Sequence, residues 1–162
     1  MKTKTNDRRY WDACNFIAII NHEGVKGAVC QAILDDARSD SPRVQICTSI
    51  LTIAEVVKPK NCVGLTPEKD KEIDDFFDND WIIAVNIDRA TMREARSLQR
   101  QYKMKTKDAI HIASAMFAEV DVVETYDEDL LLWNNKIPNP IGPTPLQIRG
   151  PVFGYGFVQL GL

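Results

Sequence analysis

The chain has no long apolar run, no paired cysteines, few aromatic residues and no surplus of basic ones. None of its hydrophobic stretches approaches the roughly 20 residues needed to span a bilayer. Its opening, MKTKTNDRRYW, lacks the apolar core of a secretory leader. Both absences argue for a soluble, cytoplasmic protein. Cys14, Cys30, Cys47 and Cys62 stand singly, a spacing that suits neither a zinc knuckle nor a disulfide framework. The first three lie in apolar surroundings, where a thiol acts as a small hydrophobe. Reduced thiols fit the same compartment. A formal net charge of −3 and a pI near 5.4 offer no general attraction to nucleic acid.

What is present describes one globular domain. The 162 residues are 44% hydrophobic and 27% charged, enough to bury a core of ordinary size. Charge is unevenly spread, so local fields matter more than the total. Glu68, Asp70, Glu72, Asp74, Asp75, Asp78 and Asp80 crowd one stretch, while Arg89, Arg93, Arg96, Arg100, Lys103, Lys105 and Lys107 crowd the next.

Strand-like runs alternate with helical periodicity, which predicts a parallel sheet sandwiched by helices. Strands are expected at 9–11, 44–47, 81–85 and 120–125. The run Trp81–Val85 is continuously apolar, as for a strand buried on both faces. Helices are expected after Asp12, over 25–38, from Ser49 through Val57 until Pro59, from Thr66 with Pro67 in its first turn, over 88–103, over 107–119 and over 127–133. Gly24 and Gly27 read as breaks between the first two. Residues 138–162 differ in kind, with Pro138, Pro140, Pro143, Pro145 and Pro151 among them. They read as an extension packed on, or trailing from, a domain over 1–137, with one edge strand near Leu146–Arg149.

Four acids recur where a strand meets a helix or just inside the helix: Asp12, Glu55, Asp108 and Asp127. Each alone has an ordinary explanation: a helix cap for Asp12 and Asp108, a solvent-facing helix position for Glu55, a turn for Asp127. Together they are delivered to the carboxyl rim of a parallel sheet, where ligands bind. Pairs of such charges about 4 Å apart repel by roughly 4 kcal/mol at an effective dielectric of 20, so the cluster calls for cations. All-oxygen donors suit Mg²⁺ or Mn²⁺. Such ions activate water for in-line displacement at a phosphodiester. His111 follows Asp108 by one turn and reads as packing or support. The series Arg89, Arg93, Arg96, Arg100, Lys103, Lys107 steps by three and four, as on one helical face. It is either a solvated stripe or a phosphate track, with Tyr102 its only neighbour suited to base stacking.

The segments YWDACNFIAII, TSILTIAEVV, KDAIHIASAM and VVETYDEDLLL, in that order over residues 9 to 133, resemble the motifs of a PIN domain. The resemblance is to the stand-alone type found as VapC-like toxins in toxin–antitoxin pairs. It implies a Rossmann-like α/β fold with a central parallel sheet of four to five strands, and divalent-metal-dependent endoribonuclease activity. RNA substrate, a cognate antitoxin and a homodimer are the partners it implies. Asp12, Glu55, Asp108 and Asp127 would be the metal-binding acids, with Asp129 a neighbouring alternative to Asp127. Ser49 and Thr125 would be polar supports. Cys14 departs from the family, which often has Asn, Ser or Thr there. Rival readings are a non-catalytic PIN-like binding module and a DNA nuclease with the same site.

Overall fold

A computed structural model describes residues 7–56 and 66–154. Pro59, Cys62 and the end of the Pro/Gly-rich stretch lie outside these. Five strands form one sheet: β1 (Asp7–Trp11), β2 (Val44–Ser49), β3 (Ile82–Val85), β4 (Val122–Glu124) and β5 (Gln147–Arg149). All neighbours are parallel, in the order β3-β2-β1-β4-β5. The chain thus winds from β1 toward β3, then returns to the other side of β1 for β4. The reversal puts the crevice beside β1, at the carboxyl ends of β1 and β4.

Among the described residues seven helices connect the strands: α1 (Ala13–Ile20), α2 (Gly24–Ala37), α3 (Ile50–Glu55), α4 (Pro67–Phe77), α5 (Arg89–Tyr102), α6 (Thr106–Phe117) and α7 (Glu128–Leu131). Strand alternation divides the core in two. Trp11 and Ile46 pack with Phe16, Ile33, Leu34, Ile73 and Phe77 from α1, α2 and α4. Tyr10, Cys47, Val123 and Ile148 pack with Ala95, Leu98, Ile112 and Leu130 from α5, α6 and α7. No helix among the described residues is long and apolar enough to cross a membrane.

Two sequence expectations are corrected. The strand β3 is an edge strand, and Ile83 is 37% exposed, because the winding reverses after it and nothing pairs beyond. Gly27 does not break a helix. It lies inside α2, where a Cβ would sit 2.5 Å from the Ala18 carbonyl oxygen; glycine there lets α2 close on α1. Gly24 alone marks the turn, at φ +51°, a region glycine enters without steric cost.

Candidate functional site

Asp12 leaves the end of β1 and caps α1, accepting the Cys14 amide at 3.1 Å on Oδ1. Its Oδ2 accepts the Thr125 hydroxyl at 2.7 Å. Thr125 follows β4, and the same hydroxyl oxygen accepts the Asp127 amide at 2.9 Å. One buried threonine therefore ties the two strand ends together. Burial raises the pKa of Asp12, against the lowering pull of Thr125 and His111. Asp127 caps α7 by accepting the Asp129 amide at 2.9 Å. The ordinary capping roles and a place in the pocket coexist in both residues.

Donor atoms of Asp12, Asp127 and Cys14 lie within 4.8 Å of one another. Burial first, then the charges of Asp12 and Asp127, push the Cys14 thiol up to about 12. Sequence reasoning placed this cysteine among the small hydrophobes; its signal was its position two residues after Asp12, in the first turn of α1.

Asp108 stands in the first turn of α6 but does not cap it, since Lys105 holds the cap position. It is 4% exposed, yet its carboxylate accepts no hydrogen bond and makes no ion pair among the described residues. Burial and then the charge of Asp127 raise its pKa. The charges of Lys107 and Lys105 pull it the other way, and an acid raised by burial and a like charge is one that a cation would favour in its ionised form.

Glu55 ends α3 and is not solvent-facing: its side chain is 14% exposed. Its Oε2 lies 2.8 Å from His111 Nε2, and its Oε1 lies 3.1 Å from Lys107 Nζ. Burial alone would raise its pKa, but His111 and then Lys107 outweigh that and lower it. His111 Nδ1 in turn lies 2.7 Å from the Tyr10 hydroxyl. The two ring nitrogens of His111 thus bridge Glu55 and Tyr10. Tyr10, unmarked in the sequence, orients the residue that orients Glu55.

The structure does not gather every residue singled out above. Ser49 caps α3, accepting the Leu51 amide at 3.2 Å, and makes no hydrogen bond to the four acids. Asp129 pairs with Lys105, whereas Asp127 faces Asp12 and Asp108. Arg89, Arg93, Arg96 and Arg100 lie exposed on α5. Lys103 ends that helix in the left-handed region at φ +58°, where the chain turns to bury Met104. Lys107 belongs to α6 and is engaged by Glu55, so the basic series does not continue as one helical stripe.

The donor set fits a divalent cation. Asp12, Cys14 and Asp127 bring donor atoms together; Asp108 and Glu55 fall outside that group, and of the four acids only Glu55 has a basic side chain in direct contact within the described residues.

The family model for the PIN domain matches residues 9–132. No curated protein matches the chain. Among solved structures, Mycobacterium tuberculosis VapC20, described as a sarcin-ricin loop cleaving toxin, is similar at a TM-score of 0.60. It is 12% identical, over 75% of this chain and 92% of that one. A toxin–antitoxin complex from Klebsiella pneumoniae is similar at a TM-score of 0.53 and 20% identity, over 75% of this chain and 88% of that one. At these identities the likeness is one of fold.

Proposed function

Because the chain belongs to the PIN domain family, we propose that it is a divalent-metal-dependent endoribonuclease of the VapC toxin type. The observation that carries this reading is Asp108, a residue only 4% exposed whose carboxylate has no hydrogen bond or ion pair among the described residues. It faces Asp127, itself beside Asp12. Asp12, Glu55, Asp108 and Asp127 would hold Mg²⁺ or Mn²⁺. When bound, such ions supply an activated water and stabilise the charge of a phosphodiester displaced in line.

The chain's own residues do the rest. Thr125 and the Cys14 amide fix both oxygens of Asp12. Tyr10 and His111 fix Glu55. The exposed arginines of α5 offer charge for the phosphates that flank the cleaved bond. The fold it shares with the Klebsiella toxin–antitoxin complex supports a protein antitoxin as partner.

The test is cleavage of end-labelled single-stranded RNA in Mg²⁺ or Mn²⁺, with EDTA as control. Asp12→Asn should lower the rate by more than the about 10–100-fold that loss of a mere supporting partner costs a metal site. Cleavage that persists in EDTA would overturn the reading.

A further inference from the structure

Cys14 sets this pocket apart from an all-oxygen site. Its Sγ lies within 4.8 Å of the carboxylate oxygens of both Asp12 and Asp127. It is half-exposed, while Cys30 and Cys47 are buried. Its position is fixed by the contact that fixes Asp12, because the Cys14 amide donates to Asp12 Oδ1. The need for a cation nearby has support in Asp108, which is 4% exposed, has no hydrogen bond or ion pair among the described residues, and is raised by burial and then by the charge of Asp127.

We propose that Cys14 is itself a metal ligand, and that the mixed carboxylate–thiolate set prefers thiophilic divalent ions such as Zn²⁺, Cd²⁺ or Co²⁺ to Mg²⁺. The inference rests on the metal-site reading above and gives that site its selectivity. Hard oxygen donors alone suit Mg²⁺, whereas one thiolate tilts a site toward softer ions. Coordination forms a sulfur–metal bond and breaks the S–H bond, and the proton passes to water. No electron is transferred and no oxidant is needed.

The experiment uses the full chain stripped of metal with EDTA. Co²⁺ is titrated in and absorption is read in the near ultraviolet, where sulfur-to-cobalt charge transfer appears. Zn²⁺ and Mg²⁺ affinities are measured by calorimetry on the parent and on Cys14→Ser. The parent should show the charge-transfer band. Cys14→Ser should lose it while still binding Co²⁺, and should bind Zn²⁺ weaker by about 10-fold or more, with Mg²⁺ affinity unchanged. Zn²⁺, but not Mg²⁺, should also protect Cys14 of the unmodified parent from iodoacetamide, read by peptide mass spectrometry. A band that persists in Cys14→Ser, an unchanged Zn²⁺-to-Mg²⁺ ratio, or no protection would overturn the proposal and leave the acid site standing. A parent chain that binds no divalent ion would overturn both.

Discussion

Asp108 and Glu55 are acids whose charges both act on Lys107, yet their surroundings push them in opposite directions. Burial and then Asp127 raise Asp108 above its ordinary value of 3.8. The folded, metal-free protein therefore holds that proton more firmly than the unfolded chain does. Stability from this group is gained as pH falls through the raised pKa, and the cost is fully present above it. Asp108→Asn should raise the melting temperature of the metal-free protein at neutral pH and flatten its gain on acidification. With Mn²⁺ added, the parent should gain more than the variant, because an ion that binds only the folded state stabilises by about 2.7 kcal/mol at 100 times its dissociation constant. Thermal melts in EDTA and in Mn²⁺ check both arms; a variant that melts below its parent in EDTA would remove Asp108 from the repelling cluster. Glu55 runs the other way. His111 and Lys107 lower it, so its contribution is present above its ordinary value of 4.5 and lost as pH falls through the depressed one. The acids themselves were legible, since strand-then-acid spacing recurs along the chain. Their individual partners were not: His111 and Glu55 are 56 residues apart, a pairing no local pattern encodes.

Among the elements, β1 and β4 carry the most costly pairing in the sheet. Arg9 is 1% exposed and Glu124 fully buried, with Arg9 Nη1 3.0 Å from Glu124 Oε1. Trp11 Nε1 donates to the other oxygen at 3.1 Å. Arg9 also donates to the carbonyls of Val152 and Gly154, each at 2.7 Å, tying down the chain beyond β5. Removing Glu124 would leave Arg9 with Asp7, 3.0 Å away, as its remaining carboxylate, so Glu124→Ala should cost about 3 kcal/mol, at the low end for breaking a buried pair. Urea unfolding measures it, and a cost below about 1 kcal/mol would show the pair to be dispensable. Gly27→Ala should destabilise by about 1–3 kcal/mol through overpacking against Ala18, read as a lower melting temperature. These features explain where sequence reasoning stopped. Helices with caps such as Ser49 and Thr66 were readable because the signal is local. Glycine at a helix crossing looks like glycine at a break, and Arg9 and Glu124 look like ordinary strand-end charges until β4 returns beside β1. The apolar Ile82–Val85 suggested burial on both faces, since composition carries no record of which strand lies outermost.

For the whole molecule, charge separation follows the helices: α4 is acidic and exposed, whereas α5 is basic along its outer side. If α5 tracks phosphates, replacing Arg93, Arg96 and Arg100 by Ala should weaken RNA binding. Each lost contact should flatten the salt dependence by about 0.7, measured by fluorescence anisotropy across a salt series. An unchanged slope would make α5 a solvated face. A parallel sheet of four strands, with an edge strand near Leu146–Arg149, was legible from alternation, and the strand order was not.

That strand order also sets a schedule. Asp12 is among the first parts of the fold to leave the ribosome, but Thr125, which holds its carboxylate, comes 113 residues later. At about 5–20 residues per second, synthesis of that interval takes roughly 6–23 s. Until β4 has been made and has slotted in beside β1, with Trp11 opposite Glu124, the acids have no common pocket. Under the proposed function, a chain cut short before β4 lacks both Thr125 and Asp127 and should cleave no RNA.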